Sequence, residues 1–164
     1  MKIAVFSDVH DNLMRWQEAA KIIKSEKIKI GICCGDTGDL QTLEAISNVF
    51  DKVYLVIGNL DYHIKDKSSL SPENVEWFMD VGEFELDGKE IALVHNQHTA
   101  KKLAESEKYD IVFYGHTHTP WEEKIGKTVL LNPGEVAGQF GKATFAIYDI
   151  GEMKAELKVE ASDI

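Results

Sequence analysis

Short apolar runs, interrupted by a charge only at Lys29, alternate with stretches of helical periodicity through the first half of this chain, and each run ends at a polar turn. The runs are residues 3–6, 28–34 and 53–57. A strand that is apolar at every position, rather than at alternate ones, is buried on both faces, which is the condition of a parallel sheet under helices. Between the runs, Asn12 opens a helix predicted over residues 13–25, with Leu13, Trp16, Ala20 and Ile23 on one face. Asp39 opens another over residues 40–50, with Leu43, Ile46 and Val49 or Phe50 inward.

The second half changes character. Residues 83–86 and 90–94 flank Asp87-Gly88, a tight-hairpin signal, and residues 121–125 and 128–131 flank Gly126-Lys127. Thr99 opens a helix predicted through residue 108, followed by a strand over 111–114. Residues 144–149 and 153–160 turn at Gly151, and Met153, Ala155, Leu157 and Val159 share one side of the last strand. A βαβαβ unit followed by hairpins and one helix predicts an α/β fold of two sheets packed face to face, helices outside. Residues 64–77 read as a loop with one helical turn. With no linker, repeat or biased tract, residues 1–164 are expected to form a single domain.

Charge limits the partners. The chain has 28 acidic against 18 basic residues, a formal net charge of -10, and Arg15 is its one arginine. That balance disfavours a protein that wraps nucleic acid by bulk charge. It also allows no bidentate arginine clamp on phosphate beyond Arg15, so an anionic substrate must be held otherwise, and metal ions are the obvious means. No apolar run approaches the roughly 20 residues of a membrane helix. The opening MKIAVFSD is too short for a signal-peptide core. Cys33 and Cys34 are adjacent in an apolar setting, so they imply no disulfide framework, and a reducing cytoplasm is expected.

The residues with ligand chemistry sit at predicted strand ends: Asp8 and His10, Asp36, Asn59, His95, then His116 and His118. In open α/β sheets, ligands bind in the crevice at the carboxyl ends of strands. Imidazole and carboxylate together suit divalent transition metals, a carboxylate can bridge two cations, and asparagine adds a neutral oxygen ligand. Glycines before Asp36, Asn59 and His116 permit tight turns and close backbone approach. Two cations about 3.5–4 Å apart can clamp a phosphoryl group and generate hydroxide near neutral pH.

This ordered set resembles the calcineurin-like metallophosphoesterase superfamily, whose pattern is D-x-H, G-D-x-x-D, G-N-[HCD]-[DE], H, G-H-T-H. Here it reads DVH, GDTGD, GNLD, LVH and GHTH, and LNPGEV over residues 131–136 is similar to the family's N-P-G-S. The small size points to the compact YfcE-like phosphodiesterase branch. The resemblance implies a four-layer α/β/β/α sandwich and a dinuclear site. One metal would take Asp8, His10 and His118, the other Asn59, His95 and His116, with Asp36 bridging and a bridging hydroxide attacking phosphorus in line. Manganese is the expected ion, with nickel, cobalt, iron or zinc chemically admissible. Asn12 corresponds to a position that can touch the phosphate. Asp39 and Asp61 would support the ligands from behind, although Asp39 is equally a plain helix cap. His63 and His98 match no ligand position and are read as surface residues.

Two departures bear on the substrate. Leu60 stands where many relatives carry the histidine that protonates the leaving group, so esters with low-pKa leaving groups are expected to turn over better. Glu135 stands where serine is common and would add negative charge near the site, disfavouring doubly charged monoesters. The resulting expectation is a phosphodiesterase for small diesters. The alternatives are a phosphomonoesterase or nuclease with the same site, or a non-catalytic scaffold, since the same fold serves a retromer subunit with a degraded metal site. Retention of all seven ligands favours catalysis. A homo-oligomer is left open, with the C-terminal hairpin and residues 64–77 as candidate contact surfaces.

Overall fold

The structure, a computed structural model, describes residues 1–63 and 71–159. Eleven strands and three α-helices are laid out in it. The strands are β1 (Lys2–Phe6), β2 (Ile30–Cys33), β3 (Lys52–Val56), β4 (Val75–Phe78), β5 (Val81–Leu86), β6 (Lys89–Val94), β7 (Ile111–Phe113), β8 (Trp121–Ile125), β9 (Thr128–Asn132), β10 (Thr144–Asp149) and β11 (Lys154–Val159). The helices are α1 (Leu13–Ser25), α2 (Leu40–Ser47) and α3 (Gln97–Glu105), with a 3-10 turn over Asp61–His63. No helix among the described residues is long and apolar enough to cross a membrane.

The strands form two mixed sheets, one in the order β11-β10-β1-β2-β3-β4 and one in the order β5-β6-β7-β9-β8. Strands β1 to β4 run parallel, as do β6, β7 and β9, so the carboxyl ends of each set share one edge of their sheet. The strict two-residue alternation of a strand distributes its side chains between two cores. In β1, Ala4 and Phe6 pack with Trp16, Ala19 and Ile23 of α1 and Leu43 and Ile46 of α2. Ile3 and Val5 point the other way and pack with Ile91, Leu93, Ile111 and Phe113 of the second sheet. On the far side of that sheet, Ala92, Val112 and Leu130 receive Ala100 and Ala104 of α3. These three apolar layers define the expected α/β/β/α sandwich.

Several boundaries differ from the sequence reading. Strand β4 falls inside the stretch read as loop, and its partly polar sequence, VEWF, is explained by its place at the edge of the first sheet. Within that stretch, residues 64–70 lie outside the described residues. Helix α2 stops at Ser47, three residues early. Helix α3 is capped by Asn96, whose side chain accepts from the backbone N–H groups of His98 and Thr99, and not by Thr99. Asn96 had the stronger capping chemistry in the sequence. The two cysteines enter different cores, Cys33 beneath the helices and Cys34 between the sheets, and burial pushes both thiols well above their usual pKa. A buried thiol held in its neutral form is a poor nucleophile.

Candidate metal centre

All seven candidate ligands lie at the carboxyl ends of parallel strands: Asp8 and His10 after β1, Asp36 after β2, Asn59 after β3, His95 after β6, His116 and His118 after β7. The carboxylates are deepest, with Asp8 and Asp36 essentially without solvent contact, while Asn59 and His116 sit at the mouth. Asp8, His10 and His118 form one group of closely spaced donors; Asp8, Asp36 and His95 form another.

Each carboxylate is divided between scaffold and centre. Asp8 Oδ2 accepts the backbone N–H of His116 at 3.1 Å, while Oδ1 faces His118 Nε2 at 3.3 Å and His10 Nε2 at 3.4 Å. Asp36 Oδ1 accepts the backbone N–H of Leu60 at 2.8 Å, while Oδ2 faces His95 Nε2 at 3.4 Å and His10 Nε2 at 3.7 Å. Asn59 Oδ1 lies 3.0 Å from His95 Nε2 and 3.1 Å from His116 Nδ1. His95 donates Nδ1–H to the Cys34 carbonyl at 2.7 Å, so its Nε2 presents a lone pair to two oxygen acceptors. Acceptors aimed at one another need a cation between them, a proton or a metal. Two donors each about 2.1 Å from one metal lie roughly 3–3.5 Å apart, which is the spacing found here. The residues therefore fit a divalent cation, and Asp36 Oδ2 faces histidines of both halves.

Without a metal, protons take its place. The hydrogen bond to Asp8 raises the pKa of His10. Burial is the largest influence on His95 and works to lower its pKa, but the bond to Asp36 and the charges of Asp36 and Asp8 together turn the net shift upward. Burial is the largest influence on Asp36 and works to raise its pKa, but the bond and charge of His95 with the Leu60 N–H and the His10 charge together leave it lowered. Metal and proton compete for the same rings.

The loops are held by groups behind the ligands. Asp61, fully buried, accepts the backbone N–H groups of Asp36, Thr37, Gly38 and Gly58 and the Thr37 hydroxyl, so one carboxylate shapes two ligand loops. Gly58 is required by close approach, since a Cβ there would stand 2.1 Å from Asp36 Oδ1. Five of the seven candidate ligands, Asp8, His10, Asp36, His116 and His118, have φ between 50° and 70°. Non-glycine residues rarely adopt this region, and such strain clusters at functional sites.

The remaining predicted positions sort differently. Asn12 Oδ1 caps α1 by accepting the N–H of Arg15, and its Nδ2 donates to the Ala137 carbonyl, so it ties a ligand loop to the 133–137 segment. Asp39 caps α2 through the N–H of Thr42, the plainer of its two expected roles. His63 and His98 are exposed. Glu135 brings its charge to the site from behind: it is fully buried and accepts from His118 Nδ1 at 2.7 Å, so the carboxylate meets a candidate ligand and not the solvent.

Two supporting residues escaped the sequence reading. Asp11 Oδ1 accepts the Asp39 N–H at 2.7 Å and the Thr42 hydroxyl at 2.6 Å, joining the first loop to the second. Asn132 donates to the Gly115 carbonyl and to the Thr117 hydroxyl, bracing the GHTH loop. The signals were present, since Asp11 directly follows the DVH motif and Asn132 stands in LNPGEV, but their partners are 28 or more and 15 or more residues away. Beside Asn59, His95 and His116 opens a cavity of about 340 Å³ whose wall includes Tyr62, Met79 and Asp80.

Comparison with known proteins shows which family carries this fold. The family model for the calcineurin-like phosphoesterase superfamily domain matches residues 1–153. Phosphodiesterase MJ0936 of Methanocaldococcus jannaschii is 30% identical over 161 residues, covering 91% of this chain and 93% of its own. Phosphodiesterase YfcE of Escherichia coli is 23% identical, covering 84% and 80%. A solved archaeal phosphodiesterase superposes with a TM-score of 0.88 at 28% identity, over 98% of this chain and 100% of that one. Vps29 of Chaetomium thermophilum shares the fold, with a TM-score of 0.74 at 14% identity over 98% and 96% of the two chains. The chain belongs to the calcineurin-like phosphoesterase superfamily, a family of metal-dependent phosphoric ester hydrolases.

Proposed function

We propose that this protein is a phosphodiesterase that hydrolyses small phosphodiesters by in-line attack of a hydroxide held between two divalent cations. The observation that carries the reading is Asp36, whose Oδ2 stands between His10 and His95 and so between two donor sets. Asp8, His10 and His118 would hold one cation, Asn59, His95 and His116 the other. The mixed Asp/Asn/His set suits manganese and admits nickel, cobalt, iron or zinc. Bound cations supply positive charge for the phosphate and acidify water.

The chain's own residues do the rest. The buried carboxylates and the His95–Cys34 bond keep the donors pre-aimed, so little reorganisation accompanies binding. The apolar side chain of Leu60 has no proton to give a leaving group. That supports a preference for aryl phosphodiesters, whose leaving groups need little protonation. The acidic surface supports small diesters over long nucleic acids. The match over residues 1–153 supports reading 1–164 as one metallophosphoesterase domain. Two buried free thiols support a reducing, cytoplasmic location. Completeness of the donor set supports catalysis over a scaffold role.

The test is an activity screen of chelator-stripped protein reconstituted with each divalent metal. Bis-p-nitrophenyl phosphate is expected to be hydrolysed with a higher kcat/KM than p-nitrophenyl phosphate, with manganese restoring activity. Faster hydrolysis of the monoester would sink the diester assignment, and inactivity with every metal would restore the scaffold.

A further inference from the structure

We propose that Glu135 is a positioning residue that fixes the ring orientation and tautomer of His118 for one cation only. The inference rests on the metal reading above. Glu135 has no solvent-exposed surface. Its Oε2 receives His118 Nδ1 at 2.7 Å and the backbone N–H of Gln139 at 3.0 Å; its Oε1 receives the N–H groups of Phe140 and Gly141, each at 2.7 Å. Three backbone donors hold this carboxylate, so its place does not depend on the histidine. His118 is then the member that is positioned.

The consequence lies at the other ring nitrogen. With its proton at Nδ1, neutral His118 offers a lone pair at Nε2, which faces Asp8 Oδ1 at 3.3 Å. The loop that clamps the carboxylate also places the Phe140 ring edge-on to the His118 ring, centroids 4.9 Å apart at 88°. Residues 135–140 thus supply His118 with one bond and one ring contact, while the His10 ring lies on another side at 5.1 Å between centroids. His95 gets the same service from a backbone carbonyl, that of Cys34. A carboxylate partner also makes the ring a stronger ligand. The chain thus strengthens one donor set with a buried negative charge where the family's N-P-G-S has a neutral serine.

Glu135→Gln separates charge from shape. The amide oxygen can still serve Phe140 and Gly141, but its NH2 would then face two donors, Gln139 N–H and His118 Nδ1–H. His118 must move its proton to Nε2, where it points at Asp8 and blocks a metal. Calorimetric titration of chelator-stripped protein with Mn²⁺ is expected to show two sites in the wild type. In Glu135→Gln one site should weaken by roughly 10–100-fold while the other stays within about twofold. In the metal-free wild type at alkaline pH, ring NMR should find the His118 proton on Nδ1, and on Nε2 in the variant. Equal loss at both sites, loss at neither, or a wild-type His118 proton on Nε2 overturns the proposal. A wild type that takes up no Mn²⁺ or other divalent cation sinks the metal reading instead, and the wild-type ring spectrum then decides the positioning role alone. That spectrum also serves if the variant fails to fold.

Discussion

Asp36 and Asp61 show how far apart the roles of two neighbouring carboxylates can lie. Asp36 spends one oxygen on the N–H of Leu60 and turns the other to the histidines. Asp36→Asn keeps the shape and removes the charge. Both cations should bind at least about tenfold more weakly and activity should fall by roughly two orders of magnitude. His116→Ala should weaken one cation and spare the other; metal titration distinguishes the two patterns. Asp61 faces no candidate ligand side chain, yet it satisfies four backbone N–H groups in the interior. Asp61→Ala strands those donors, and the chelated protein should lose about 3 kcal/mol or more in urea denaturation.

At the scale of elements, the candidate ligands are delivered by strand ends, and the turns decide where they point. Two glycines allow a clean comparison. Gly88, in the β5–β6 turn, has φ of 74° and open space around it, so Gly88→Ala should cost about 1 kcal/mol of stability and leave kcat/KM unchanged. Gly58 has ordinary φ, but an added Cβ would strike the Asp36 carboxylate, so Gly58→Ala should cost metal affinity at both halves. Thermal melts and metal titration on the pair separate backbone strain from displacement of a ligand. The helix starts at Asn12 and Asp39 were legible because capping is local chemistry. Strand β4 was not legible, because its pairing partner β3 lies some 20 residues earlier and an edge strand needs little hydrophobicity.

At the scale of the whole molecule, the acidic surface and the donor cluster obey different rules, and pH separates them. His10 and His95 have raised pKa values in the metal-free fold. Their contribution to metal-free stability is therefore fully present below the unfolded value, about 6.5, and is lost as pH rises through the folded values. A divalent cation needs the rings deprotonated, so its stabilisation grows over the same interval. The gap in Tm between metal-loaded and chelated protein should widen from about pH 6 to about pH 8. A gap that narrows would contradict the assignment of these rings as ligands. By itself, the amino-acid sequence determined the alternation of buried strands and capped helices and singled out seven candidate donors, because periodicity, capping and ligand type are written in short spans. Only the tertiary structure decided that Glu135 serves His118 rather than meeting a substrate, that Asp61 shapes two loops and that Asp11 and Asn132 join others. Except for Gly58, three residues from Asp61, those partners are between 15 and 31 residues apart, and hydrogen bonds across such distances exist only once both sheets have brought their strand ends together.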